Sequence, residues 1–412
     1  MPGPFDGIRV VELSSEFGAY AGKLLADLGA RVTLVEPPGG DTTREYPPFV
    51  GDVPDPERSL WFWHYNTNKL GVTLDLEVAA DGEKLLGLLD EADVFLDAEP
   101  PARMRTLGLD HDSLAPGHPG LVTVSITPFG PDSPRASEQV TDLTLLAGGG
   151  PVWSCGYDDH TLPPVRGGGG QAAHIAAHYA VMGLLVALLA RDERGRGQHV
   201  SVNMNAAANV TTEAATYGFL AAKSVVQRQT GRHAAEVLTF PTQVQCADGR
   251  YFNSGFPPRR RAEFLALIDW LRQLGFLDEF PLTSLLEMGA DRPDISQADL
   301  REDPLVGEIF HAGRQAVIFI AERMPAYDVF VGLQQRGIPV GAIYSPEEVM
   351  TDPHFIDRGF PTPLYHEELG RDVTYPGAPY RFNRSPWELR SRAPRRGEHN
   401  EDVFGEAVEG HP

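Results

Sequence analysis

The N-terminal part of the chain alternates two hydrophobic periodicities that few folds accommodate together. Ile8-Arg9-Val10-Val11-Glu12-Leu13 is a short β-branched run. Ala19 to Leu28 carries helical spacing and stops at Gly29, and Arg31-Val32-Thr33-Leu34-Val35-Glu36 is a second extended run closed by Pro37-Pro38-Gly39-Gly40. Strand, helix and strand in so short a stretch is a βαβ unit, whose crossover requires parallel strands covered by a helix. Val72 to Leu76, Ala92 to Leu96 and Leu121 to Ile126 read as further strands, with a helix from Ala80 to Leu89. The fold class is therefore α/β, built on a parallel sheet. The turn after the first strand, Ser14-Ser15-Glu16-Phe17-Gly18-Ala19, lacks the G-x-G-x-x-G that lets a backbone approach a dinucleotide pyrophosphate. That argues against a nicotinamide-dependent dehydrogenase.

Further along, Gly130 to Gly170 is rich in Gly, Pro and polar residues and reads as loops. A long helix is expected from about Gln171 to Arg191, broken at Gly195-Arg196-Gly197. A strand at Gln198 to Val202 and a helix from Met204 to Ala221 follow. Then the pattern changes. Thr239 to Asn253 suggests short strands around an Asp248-Gly249 turn, and Arg261 to Gly275, Gln315 to Arg323 and Tyr327 to Arg336 are helical. A strand signal returns at Ile338 to Ile343. The tail from Gly377 is poor in core residues and is expected to wrap a surface or a partner. The division this suggests is a large domain over 1–221, a small one over 222–325, and a return to the large domain over 326–412.

Charge and cysteine usage narrow the function. Asp and Glu outnumber Lys and Arg by 57 to 35, a net charge of −22, which lacks the basic footprint of a general nucleic-acid binder. Cys155 and Cys246 form neither a disulfide framework nor a zinc spacing, so no metal and a reducing cytoplasm are expected. The N-terminus shows no signal-peptide pattern. The apolar stretch Ala176 to Ala190 contains His178 and is short for a bilayer, so it reads as a buried helix and no membrane association is expected.

A series of short motifs runs through the chain in order. Leu25-Ala26-Asp27-Leu28-Gly29-Ala30 is followed by Val35-Glu36-Pro37, Gly39-Gly40-Asp41 with Arg44, and Asn66-Thr67-Asn68-Lys69. Ala92-Asp93-Val94, Leu107-Gly108-Leu109 and Phe129-Gly130 come next, then Ala187-Leu188 with Arg191 and Gly195-Arg196-Gly197-Gln198. The last are Gly337-Ile338-Pro339, Asp352-Pro353 and Gly397-Glu398-His399-Asn400. Each is weak alone, but in this order they resemble the family III CoA-transferases, the carnitine dehydratase/bile-acid-inducible F family. The resemblance implies a Rossmann-like large domain made from both chain ends, a smaller inserted α+β domain, and two chains interlocked as a dimer. It implies coenzyme A and acyl-CoA thioesters as substrates, with a carboxylic acid as acceptor. It places Lys69 and an arginine near Arg105, with Arg103 close by, against the CoA phosphates, and Glu16 and Phe17 along the thioester end of the cleft.

The same resemblance implies an aspartate nucleophile, which attacks the thioester to give a mixed anhydride and then an enzyme CoA thioester. That aspartate is expected near position 173. Here the segment reads Gly169-Gly170-Gln171-Ala172-Ala173-His174-Ile175, and no Asp or Glu occurs from Val165 to Leu189. The racemase branch needs the same aspartate and a histidine before Asp142, where Thr141 stands. Gln171, His174 and His178 are the polar groups that open the long helix instead. The two histidines share a face, as an acid/base or metal pair, or as hydrogen-bonded interface histidines, the reading we favour. Asp158-Asp159-His160 on the preceding loop is the nearest acidic group in sequence, with Asp159 a catalytic candidate. Some members of the family, the benzylsuccinate type among them, pair two homologous chains of which only one carries the aspartate. The expectations are therefore the Asp-lacking subunit of a hetero-oligomer, a self-sufficient lyase, hydratase or hydrolase using His174 or Asp159, or a non-catalytic CoA-ester binder. Partners accordingly range from a second copy to an Asp-containing homologue. Trp61 to Tyr65 and Tyr251, Phe252 and Phe256 are aromatic candidates for an acyl pocket or for packing.

Overall fold

The computed structural model describes residues 2–405 except 213 and 256. Its centre is a six-stranded, wholly parallel sheet: β1 (Arg9–Leu13), β2 (Arg31–Glu36), β3 (Leu70–Thr73), β4 (Val94–Asp97), β5 (Val122–Thr127) and β6 (His199–Asn203). The spatial order is β3-β2-β1-β4-β5-β6, so the chain winds outward from β1 in one direction and then reverses at β4. Parallel strands need both faces covered. Alternate residues of each strand therefore feed two cores. Val10, Val32, Leu96, Val124 and Ile126 pack under α1 (Ala19–Asp27) and later helices. Val11, Leu13, Val72 and Phe95 pack on the other face under α3 (Ala79–Asp90), α4 (Pro101–Leu107) and α5 (His111–Leu114). Between β2 and β3 lies α2 (Leu60–Tyr65).

The loop expected over 130–170 contains α6 (Asp142–Gly149). Its run of glycines hides a helix whose entry is made by a Thr141–Thr144 capping box. The long helix, α7, is Gln171–Arg194, three residues beyond the expected end, and stops at Gly195 in the left-handed region with φ 70°. By length and composition α7 suffices to cross a membrane, which the shorter stretch 176–190 does not suggest. Its buried residues are mostly alanines (Ala172, Ala173, Ala176, Ala177 and Ala180), which let a long helix lie close over the sheet. The helix expected from Met204 to Ala221 is divided into α8 (Met204–Asn209) and a second helix at Ala214–Ala222.

The chain divides into two compact units. One comprises 1–155, 164–225 and 352–412; the other comprises 156–163 and 226–351. In the second unit Gln243–Gln245 and Tyr251–Ser254 form an antiparallel hairpin around Gly249 at φ 80°, as the Asp-Gly signal suggests. The strand signal at Ile338 to Ile343, read from sequence as a return to the large sheet, belongs here. Val340–Ala342 pairs antiparallel with Tyr251–Ser254. A three-residue strand carries no mark of its partner, so periodicity alone misassigned it. Phe252 is fully buried in this unit's core, Tyr251 is exposed, and Phe256 lies outside the described residues.

The polar tail is bound to the first unit. Edge strand β3 would otherwise present unpaired backbone groups. His399 Nδ1 accepts from Gly71 N at 3.0 Å, and the His399 amide donates back to Gly71 O. Asn400 Oδ1 accepts from Thr73 N at 2.9 Å. A Cβ on Gly71 would lie 2.7 Å from Pro394 Cγ, so the tail's close approach requires that glycine.

Candidate active site

In open parallel sheets of this kind, ligands enter at the carboxyl ends of the strands where the winding reverses. Here that crevice lies between the ends of β1 and β4. The turn after β1 is tight: a Cβ on Gly18 would meet Ser15 Oγ at 2.8 Å and Ala98 Cβ at 3.7 Å. Glu16 is exposed on this turn and accepts a hydrogen bond from the Tyr46 hydroxyl at 3.0 Å, while Phe17 is half-buried against the core. Across the crevice, Asp97 ends β4. Its carboxylate accepts from Ser125 Oγ at 2.7 Å and from Glu99 N at 3.2 Å, and burial pushes its pKa up to about 7. Glu99 is also pushed up, first by burial and then by Asp41, against the pull of Arg103. Arg103 is exposed on α4 and paired with Glu77 at 2.8 Å and Glu99 at 3.4 Å. Arg105, two residues further along α4, is exposed and has no ion pair or side-chain hydrogen bond among the described residues. The mouth of the crevice is thus rich in carboxylates, and of the two expected arginines only Arg105 has its charge unengaged.

Lys69 is not at that mouth. It is 1% exposed, and its ammonium donates to Glu12 at 2.8 Å, Ala19 O at 3.0 Å and Asn66 Oδ1 at 2.9 Å. An ammonium has three protons, so none is left for a phosphate. The expectation from the resemblance is corrected here: Lys69 is half of a buried ion pair. Burial pushes the Glu12 carboxyl up to about 7 and the Lys69 ammonium down. The rest of the motif series has the same character. Asp27 accepts from Lys23, Thr67 and Asn68. Asn68 holds the tail by accepting from Arg390 N and Ser391 N and donating to Glu388 O. Arg44 makes a bidentate pair with Glu36, 2.7 Å on each arm. These residues build the scaffold, not the chemistry.

The amino end of α7 is the second part of the site. Ala173 is 8% exposed and offers no functional group. Gln171 is exposed, and its amide lies over Gly167, where a Cβ would be 2.3 Å from Nε2. His174 is half-buried. Its Nε2 is 2.7 Å from the Tyr65 hydroxyl, and its ring stacks on Tyr20 with centroids 4.0 Å apart. Burial, then the neighbouring His178, lowers the His174 pKa, so the imidazole is neutral at neutral pH and the phenol is its partner. His178 Nδ1 is bonded to the His174 carbonyl at 2.7 Å and is exposed, so the two rings do not converge on one point as metal ligands would. His64 beside Tyr65 is driven down to about 3 by burial, Lys23 and His174. The aromatic run reaches this cluster: Trp61 packs on Tyr65 with centroids 4.3 Å apart and on Tyr46 at 5.5 Å.

Sequence reasoning missed Tyr20 altogether, and it read Tyr65 only as part of an aromatic run and Asp142 only in another role. Tyr20 and Tyr65 carry no motif signal and are brought to His174 only by the crossing of α1, α2 and α7. Asp142 was considered only for the racemase reading. Its carboxylate accepts from Ala172 N at 2.8 Å and pairs with Arg166 at 2.9 Å, so it caps α7 beside Ala173. Asp159, by contrast, belongs to the second compact unit, exposed and closed on Thr161 N at 2.9 Å and Thr161 Oγ1 at 2.6 Å. Asp158 pairs with Arg232 at 2.9 Å and His160 Nε2 meets Arg228 O at 3.1 Å. That loop is a scaffold within its own unit. Among the described residues no group of three His, Cys, Asp or Glu is placed to hold a metal ion.

A neutral His–Tyr pair moves a proton; it does not form a thioester with CoA. The sequence profile of CoA-transferase family III matches residues 5–400, nearly the whole chain. The chain belongs to CoA-transferase family III. It is 30% identical over 410 residues to the succinyl-CoA:(R)-benzylsuccinate CoA-transferase subunit BbsE of Thauera aromatica, covering 98% of this chain and 94% of that one. A succinyl-CoA:mesaconate CoA-transferase of Haloarcula hispanica is 27% identical over 411 residues, covering 98% and 96%. Among solved structures, a CaiB/BaiF family protein from Brucella suis superposes with a TM-score of 0.78 at 25% identity, covering 98% of this chain and 99% of that one. The family III fold of this chain is therefore the mixed α/β fold with a parallel six-stranded sheet described above.

Proposed function

We propose that this chain is the subunit of a hetero-oligomeric CoA-transferase that does not supply the nucleophile, acting with an Asp-containing homologue on acyl-CoA thioesters and carboxylic acids. One observation carries the reading: in a family III chain, the first turns of α7 present Ala173, and no carboxylate side chain occurs from Val165 to Leu189. A carboxylate is nucleophile and leaving group in turn, and neither an alanine nor a neutral imidazole does both. The full-length likeness to a named CoA-transferase subunit supports the same reading. So does the outer face of α7, where Val186 and Leu189 are 65% and 67% exposed and Met182 is exposed beside them. An apolar stripe on a long helix suits a closely interlocked partner chain. In this reading the complex works in the cytoplasm, with CoA as its substrate and without a metal.

The test is co-expression with an Asp-containing homologue, native mass of the complex, and transfer assays on each chain and on both. Transfer should need both chains, and substitution of the homologue's aspartate should abolish it. Transfer by this chain alone at ordinary enzymic rates sinks the proposal.

The Tyr65–His174 contact of 2.7 Å favours one alternative, a self-sufficient acid/base enzyme on CoA thioesters. Under it, His174→Ala abolishes turnover by the isolated chain. Under the subunit reading the same change leaves transfer by the complex within a few-fold.

A further inference from the structure

At the other end of the sheet from the crevice, before the first residues of β5 and β6, the first unit has a recess of about 310 Å³. Its walls are His111 and His118 from α5 and the turn after it, Arg194 at the end of α7, and Arg196 and Gln198 from the connection to β6. Ala115, Pro119, Leu121 and Ala190 form an apolar floor. The connection is held hard against the sheet: Gly197 N donates to Pro119 O at 2.9 Å, and a Cβ on Gly197 would sit 2.0 Å from Leu121 O. Arg196 and Gln198, which flank that glycine, both line the recess. His111 is fixed by Thr123 Oγ1, 2.9 Å from its Nδ1, and by stacking on His199 with centroids 5.6 Å apart.

The charge here runs against that of the chain. In a protein of net charge −22, two guanidinium groups share this recess, and neither has an ion pair or side-chain hydrogen bond among the described residues. Arg191, one turn earlier, is spent on Asp93 at 2.8 Å. Carboxylates border it as well: Asp90 lies 3.3 Å from His118 Nδ1, and Asp112, Asp132 and Asp110 act on His199, which stacks on His111. Arg194 offsets the carbonyl end of α7, a role that leaves its donors available. Arg196 lies beyond the helix and has no such role.

We propose that this recess is a second ligand site, distinct from the crevice, for a small organic anion. Arg194 and Arg196 would take its carboxylate or phosphate group, with His111, His118 and Gln198 as further donors, and its apolar part would lie on the alanine, proline and leucine floor. The volume suits a ligand of about ten heavy atoms, near the lower end of ordinary small-molecule sites.

The experiment is calorimetric titration of the purified protein, in whatever assembly it forms, with phenyl phosphate and with benzoate. The two arms separate a phosphate from a carboxylate ligand. Saturable binding of at least one probe is expected, one per chain, weakened at least tenfold in Arg194→Ala/Arg196→Ala. It should be unchanged in Arg103→Ala/Arg105→Ala, which alters the crevice instead. If the first double variant melts early, Ala190→Leu fills the floor without removing a charge and must weaken the same binding. No saturable binding of either probe overturns the proposal. So does binding that survives both recess variants, or binding lost in the crevice variant instead.

Discussion

Asp97→Asn isolates what it costs to hold a carboxylate in the sheet at the mouth of the crevice. The side chain is almost fully buried, and burial moves its pKa from the ordinary 3.8 to about 7. The folded protein therefore holds this proton more tightly than the unfolded chain does. Its contribution to stability is complete below pH 3.8 and is lost as the pH rises through about 7. At roughly 1.4 kcal/mol per tenfold change in proton affinity, the whole interval is worth about 4 kcal/mol, of which about 3 kcal/mol falls between pH 5 and pH 8. Asparagine has nothing to titrate. Its carbonyl can accept from Glu99 N while its amide donates to Ser125 Oγ, whose proton then turns to His199 Nε2, 3.2 Å away. Urea unfolding of the two proteins should therefore show the Asp97→Asn variant gaining on the wild type by about 3 kcal/mol as the pH is raised from 5 to 8. Glu12, which also titrates near 7, is common to both and cancels in the difference. A difference that stays constant within about 0.5 kcal/mol across that range, or that shrinks with pH, refutes the burial argument.

Lys69→Met leaves Glu12 buried without its partner and should destabilise the fold by about 3–5 kcal/mol in denaturant unfolding. If Lys69 instead held a phosphate, the loss would fall on CoA affinity with stability unchanged. Gly22→Ala places a Cβ 1.8 Å from Glu12 Oε2, so it should lower the melting temperature by an amount matching about 1–3 kcal/mol. The double variant Gly22→Ala/Glu12→Gln should not add the two single losses, because one contact is shared. Asn68→Ala removes three bonds to the tail and one to Asp27, and should cost about 2–4 kcal/mol while making the chain beyond Gly377 sensitive to limited proteolysis.

The fold was legible where residue type follows from local periodicity. β-Branched runs and glycine stops mark β1, α1 and β2 as they stand, and the Asp248-Gly249 turn marks its hairpin. Strand partners are another matter. Val340–Ala342 is as apolar as a core strand of the large sheet, yet it pairs in the second unit, and nothing in three residues records which neighbour they meet. The site was less legible still. A motif lysine and a phosphate-binding lysine look alike in sequence. Glu12, 57 positions away, together with Ala19 O and Asn66 Oδ1, shows that Lys69 is spent on the fold. The Tyr20–His174–Tyr65 cluster joins three distant segments and leaves no local trace. What sequence did expose was a stretch without any carboxylate, Val165 to Leu189, because an absence of charge needs no geometry to be seen.

The bonds between β3 and the tail also bear on when this protein can finish folding. Strands β1 to β6 lie within residues 9–203, but the groups that close the edge at Gly71 and Thr73 are His399 and Asn400, made about 200 residues later. For most of translation the growing chain thus displays an open sheet edge and an unfilled Asn68. The nascent large unit must remain soluble with its rim exposed until His399 and Asn400 emerge. A cell making this protein has reason to shield that edge with a chaperone before the tail arrives.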